Sequence, residues 1–368
     1  METKERILWI DGLKGLSCLF IFLHHFYTRF YPETFYGNLI NIPVSNKLLM
    51  LSQMPFNFFL NGNFFVFIFI ILSGFVSIYN IKLSKTFNMG VNFINTIIKL
   101  SIPLLIYEIT VIILYRIKII NYFFIGNPSI KDLLISNAFK TFLLGDTRFG
   151  GHFWMLPFIF IGGTFVKLIG TISLINEKNM KSKLILIYLI ISIYMLLFIN
   201  EYYSAIFLGA LLYLLVDEIK IRIPSFVIFF ILIISLFLGG FPSGHIEGMP
   251  ITSIYKFIIL PFRTRMSCIY WHFFGAALLI FCISNSIKLK VFFSKRIFIK
   301  FHTISYSFFI IHPFFISTTN KIINGNFTKN LYFHLIIHFA LIICLFVCLF
   351  VSYNLTKISN IIIKKLKI

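Results

Sequence analysis

Acid is scarce in this chain: twelve Asp and Glu stand among 368 residues, against thirty-three Lys and Arg. Charged residues of both signs reach only 12%, about half of the roughly 25% usual in soluble domains. That shortfall excludes an ordinary water-soluble globular protein. Cysteine is sparse too. Cys18, Cys268, Cys282, Cys344 and Cys348 fall mostly inside apolar runs, without the four-ligand grouping of a zinc site. They read as small buried hydrophobes, and no metal site is expected. Zinc-finger spacing, a Gly-rich phosphate loop and a basic helix are all missing, so the net charge of +21 does not point to nucleic acid.

What is present is apolar sequence. Hydrophobic residues make up 59% of the chain and the mean hydropathy is +0.93. Runs of about 20 apolar residues, long enough to cross a bilayer, recur from end to end. The expectation is an all-α membrane protein of about ten transmembrane helices, at 8–26, 60–79, 93–115, 152–170, 183–200, 203–216, 225–241, 266–285, 301–318 and 331–355. The stretch 250–262 is expected to be re-entrant or interfacial. With both termini cytoplasmic, the inside segments hold about nineteen Lys and Arg and the outside loops about twelve, the direction of the positive-inside rule. The exception is the 116–150 loop, which carries Arg116, Lys118, Lys131, Lys140 and Arg148. The N-terminal run lacks a small-x-small cleavage site and is interrupted by Asp11, so it reads as a retained first span rather than a signal peptide. A single membrane domain over 1–368 is expected, with no appended soluble domain. The outside loops 116–150 and 241–266, the second containing GGFPSGHIEGMP, are candidate walls of an acceptor site.

Ionisable residues inside spans are costly and usually face an interior pathway. In DGLKGLSCLFIFLHH, at 11–25, a helix turning about 100° per residue brings His25 within roughly 20° of Lys14 and about 16 Å further along. Asp11 lies within about 60° of Lys14, while His24 is displaced by about 80°. Asp11, Lys14 and His25 therefore share one stripe, with Ser17 and Cys18 beside it. Other polar landmarks are Ser73 beside Gly74, Lys99, Glu108, His152 with Trp154 in GGHFWMLP, and Ser305 with His312 in ISYSFFIIHP. Ser305 and His312 are seven residues apart, hence on one helix face. Each has a plainer structural reading: close helix approach at Ser73–Gly74, interfacial anchoring at His152, Trp154 and the Trp271–His272 pair, and a structural hydrogen bond at Glu108.

Taken together, IDGLKGLSCLFIFLHHF, FFVFIFIILSGFV, GHFWMLP and ISYSFFIIHPFF, in this order and spacing, resemble the acyltransferase-3 family of integral membrane O-acyltransferases. The resemblance runs from Asp11 to about His312 and implies ten helices. The family's first span carries a basic residue and a His separated by ten residues, a pattern that Lys14 and His25 satisfy. Lys stands where Arg is commoner. Asp11 fills the acidic position. The resemblance makes His25 the catalytic residue and His24 the bystander. Where relatives carry two arginines spaced R-x-x-R, this chain has NTIIKLSIP and only Lys99. GHFWMLP resembles the branch that modifies capsule and surface-polysaccharide sugars.

The resemblance implies acyl transfer, with acetyl-CoA as donor substrate and no bound cofactor, to a hydroxyl of a cell-surface glycan at the bacterial plasma membrane. Lys14, Lys99 and Arg6 are the candidate holders of the CoA phosphates, and Asp11 is expected to pair with Lys14. His25 is the candidate general base. Its orienting partner is open among Glu108, His152 and Ser73. His24, Trp154, Ser305 and His312 complete the acceptor or supporting set. An acyl-His intermediate stays open. The alternatives are a polysaccharide exporter or flippase without acyl transfer, and a lipid or small-molecule acceptor.

Overall fold

The computed structural model describes residues 7–31, 55–83, 88–117, 136–144, 151–176, 180–218, 223–242, 254–258, 267–326 and 332–366. Among the described residues every regular element is helical. The α-helices are α1 (Leu8–Phe30), α2 (Gly62–Leu83), α3 (Met89–Arg116), α4 (Gly163–Asn176), α5 (Met180–Tyr194), α6 (Glu201–Glu218), α7 (Ser225–Gly239), α8 (Ser267–Asn285), α9 (Ile287–Phe293), α10 (Arg296–Asn326) and α11 (Phe333–Lys365). Short 3-10 turns occupy Pro55–Leu60, Gly151–Met155 and Ile254–Ile258, and π-helical stretches Ser136–Leu144, Phe158–Gly162 and Met195–Ile199.

The expectation of ten spans is met in part. Six helices are long and apolar enough to cross a membrane: Gly62–Ile81, Met89–Leu114, His152–Ile172, Ser182–Ile199, Ser267–Asn285 and Phe333–Lys365. Glu201–Val216 and Ser225–Gly239 are apolar but shorter. Helices α1 and α10 have the length, at 23 and 31 residues, but carry the polar residues of the site described below. Of the expected interfacial piece at 250–262, Ile254–Ile258 forms a 3-10 turn. Most of the 116–150 and 241–266 loops lies outside the described residues.

Burial separates inner from outer helices. The apolar window of α2 is 72% buried and that of α8 67%, against 22% for α11. Phe339, Phe346 and Phe350 stand exposed along α11, and Phe226, Phe229 and Phe230 along α7. An aqueous surface rarely tolerates apolar exposure on this scale, whereas a lipid-facing surface consists of it.

One core cluster gathers Phe64, Phe67, Ile71, Phe75, Ile206, Ala210 and Phe273 from α2, α6 and α8. A second joins Phe22, Phe26, Leu104, Phe308, Ile310 and Ile337 from α1, α3, α10 and α11. Close helix approach depends on glycine, as is common in membranes. A Cβ at Gly74 would overlap the carbonyl of Ile206, and one at Gly209 that of Ile71, so α2 and α6 touch backbone to backbone. On α1, a Cβ at Gly15 would lie 2.5 Å from the Phe298 carbonyl and 2.9 Å from the His302 nitrogen. Gly12 meets the Phe293 carbonyl in the same way. Gly15 thus sets the close approach of α1 to α10, and Gly12, one turn earlier, that of α1 to the end of α9. Gly15→Leu is expected to cost about 1–3 kcal/mol or more through overpacking, read as a lower Tm of the purified protein in detergent.

The span expected over 152–170 is present as one continuous helical run, His152–Ile172, but its geometry changes along its length. It enters as a 3-10 turn, passes through the π-helical stretch Phe158–Gly162 and continues as regular α-helix from Gly163. Pro157 has no N–H to give the preceding turn, which loosens the ladder there.

Candidate active site

Helices α1 and α10 run parallel and meet at three levels. Asp11 Oδ1 lies 3.2 Å from His302 Nε2 at one end. Midway, the Cys18 thiol donates to the Ser305 carbonyl at 3.3 Å. At the other end, His25 Nδ1 and His312 Nε2 are 2.7 Å apart. The two imidazoles are nearly coplanar, at 13°, with ring centroids 5.0 Å apart. That combination sets them edge to edge, in hydrogen-bond geometry, rather than face to face.

The protons on this pair follow from its neighbours. His312 Nδ1 lies 3.0 Å from the Phe308 carbonyl, one turn back on its own helix. A carbonyl oxygen only accepts, so His312 Nδ1 carries the proton and Nε2 holds a lone pair. His25 Nδ1–H must then donate to that lone pair, which leaves the His25 Nε2 lone pair available. His152 joins from the 3-10 turn Gly151–Met155, with its ring centroid 5.8 Å from that of His312. Its Nε2–H donates to the Ile310 carbonyl at 3.0 Å. Phe22, Phe308 and Phe309 pack around His312, with centroids 6.2, 5.9 and 6.0 Å away. Among the described residues, no group of His, Cys, Asp and Glu is arranged to hold a metal ion.

The neighbouring histidine is bonded elsewhere. His24 is buried, its Nδ1–H donates to the Leu60 carbonyl at 2.6 Å, and its ring lies against Gly62. It helps to seat the Pro55–Leu60 turn, whose neighbour Asn61 donates to the carbonyls of Gly239 and Phe241 at 2.8 and 2.9 Å. His272 Nε2–H donates to the same Phe241 carbonyl at 2.7 Å. Trp271 bonds the Ile258 carbonyl. His24→Ala would strand a buried acceptor, at a cost of about 1–3 kcal/mol. Thermal melting should report that loss, with activity per folded molecule within about threefold of wild type.

The remaining candidates divide. Lys14 Nζ sits 5.6 Å from the centroid of the Phe69 ring, a cation–π contact. Asp11 meets His302, a partner that the expected pairing of Asp11 with Lys14 did not include. Lys99 is exposed on α3. Glu108 is fully buried on the same helix, near Tyr107, whose ring packs edge-on against Phe153. The Ser73 hydroxyl bonds back to the Phe69 carbonyl at 2.8 Å, within α2. Trp154 packs against Tyr202, with centroids 4.8 Å apart, rather than in the histidine cluster. Ser305 donates to the His302 carbonyl, two turns below His312. Arg6 lies outside the described residues. The structure therefore brings together His25, His152 and His312, and separately Asp11 and His302.

His302 and the partnership of His25 with His312 escaped the sequence reading. His302 stands three residues before Ser305, on the helix face already singled out there. That spacing was its available signal.

A model described as an acyltransferase domain matches residues 7–355, nearly the whole chain. The chain belongs to the acyltransferase-3 family. No curated protein and no solved structure matches it. Membership supports a membrane O-acyltransferase in general terms, and the matched region contains every helix that builds the acyltransferase's histidine cluster.

Proposed function

We propose that this chain transfers an acyl group, acetyl, from cytosolic acetyl-CoA to a hydroxyl of a cell-surface or capsular polysaccharide sugar, in the plasma membrane of a bacterium. The observation that carries the reading is the His25–His312 pair in an acyltransferase-3 chain. His312 Nε2 accepts from His25 Nδ1–H, which orients the ring and leaves Nε2 to take a proton. His25 Nε2 removes the proton of the sugar hydroxyl as its oxygen attacks the thioester carbonyl. The carbon–sulfur bond breaks, the proton passes to the departing thiolate, and the products are the O-acetyl sugar and free CoA. Lys14, with Lys99 and Arg6, supplies positive charge for the phosphates of CoA. Lys14 lies about 16 Å from His25 along α1, a separation comparable to an extended pantetheine arm. Asp11 and His302 stand at the Lys14 end, too far along α1 to orient His25.

The test is transfer of radiolabel from acetyl-CoA to host polysaccharide by the purified protein in lipid nanodiscs. NMR of the glycan from cells with and without the protein accompanies it. Label in the glycan, and O-acetyl signals that vanish with the protein, are expected. Glycan exported without labelling and with unchanged O-acetylation would overturn the reading.

A further inference from the structure

Between the two ends of the α1 stripe lies a small, partly open cavity of about 70 Å³. Its walls include Cys18, Ile21, Phe69, Met155, Ile159 and Phe309. Its place along the stripe is defined from both sides. Ile21 is one turn before His25. The Phe309 ring is 6.0 Å from the centroid of His312 and 5.1 Å from that of His152. On the other side, Phe69 carries the Lys14 ammonium on its face. The Phe309 ring thus stands between the cavity and His152 and His312, and the Phe69 ring between it and the cation.

Its polar lining groups are already engaged. The Cys18 thiol is given to the Ser305 carbonyl, and the Tyr306 hydroxyl, also in the wall, to the Leu100 carbonyl at 2.8 Å. An occupant therefore meets apolar surface. Size narrows the choice further. An apolar cavity of roughly 150 Å³ takes up benzene, with six carbons. About half that volume has room for about three heavy atoms, the number in an acetyl group.

We infer that this chamber receives the acyl group of the donor and restricts it to two carbons, with Met155 and Ile159 as the residues that set its depth. This rests on the acyl-transfer reading above. Each surplus methylene in a filled apolar pocket is discriminated by roughly 10–200-fold. Acetyl-CoA should therefore exceed butanoyl-CoA by at least about 100-fold in kcat/KM.

The experiment measures kcat/KM for straight-chain acyl-CoA donors of two, three and four carbons, with the native polysaccharide as acceptor, on nanodisc-embedded full-length protein. Wild type should show the steep fall with chain length. In Met155→Ala the acetyl-to-butanoyl ratio should drop by at least about tenfold, and in Ile159→Val by a smaller factor. The ratio is taken within each variant, so a loss of folded protein cancels. If Met155→Ala does not fold, the wild-type profile and Ile159→Val decide. Equal use of acetyl and butanoyl donors by wild type, or enlarged variants that keep the wild-type ratio, would overturn the chamber while leaving acyl transfer standing. No transfer from any donor would overturn both.

Discussion

Replacing His25 with alanine is expected to lower acyl transfer per folded molecule by roughly 10²–10⁴-fold, the range that a positioned general base supplies. Proton placement, rather than proximity, singles out His25. His312 has its Nδ1–H committed to the Phe308 carbonyl and offers Nε2 to His25. His25 is thereby held with Nε2 unprotonated. Removing the ring removes the only nitrogen of this pair that is left to accept a substrate proton. His25 is partly exposed and bonds His312 rather than the backbone, so the fold should survive its loss. The check is radiolabel transfer alongside thermal melting. A rate within tenfold of wild type, with an unchanged Tm, would remove His25 from the chemistry.

His312→Ala should produce the second large effect. The orienting acceptor would be gone, and His25 could turn or adopt the other tautomer. A misplaced group costs about 10²-fold, and a wrong tautomer in a comparable dyad about 10⁴-fold. The loss should lie within that span and fall on kcat, with KM for acetyl-CoA unchanged within about threefold, because His312 positions a base rather than the donor. His312→Gln, whose amide oxygen can accept from His25 Nδ1–H, should recover part of the rate. A purely structural role would instead show equal losses in Ala and Gln, tracking a fall in Tm. Buried His312 also bonds within its own helix, which makes the kcat and KM split the decisive readout.

Periodicity explains what was legible beforehand. A helix assigns each residue a face, so the separation of His24 from His25 on α1 could be worked out from 100° steps alone. The structure gives those two rings different surroundings: the Leu60 carbonyl for one, His312 for the other. The family was legible in four short stretches, and the match over residues 7–355 reaches beyond them. Partners were not legible. A face says which way a side chain points but not which of the other helices it meets, and His25 and His312 are 287 residues apart. Asp11 was paired in expectation with Lys14 because the two share a helix face, yet His302 reaches its carboxylate from α10. Three local irregularities were also beyond a hydropathy reading. The 3-10 and π geometry around Pro157, the π stretch at Met195–Ile199 and the extension of α11 to Lys365 depend on packing and hydrogen bonding, not on apolar content.

One comparison bears most directly on His25 and His312 acting as a unit in acyl transfer: a double-mutant cycle built from His25→Ala, His312→Ala and the double variant, read as kcat for acetyl transfer. Groups that act together are strongly non-additive. Once His25 is absent there is no base for His312 to orient, so the double variant should be no slower than His25→Ala alone, within about threefold. Losses that multiply across the cycle would mean that the two imidazoles act independently, and would contradict the account.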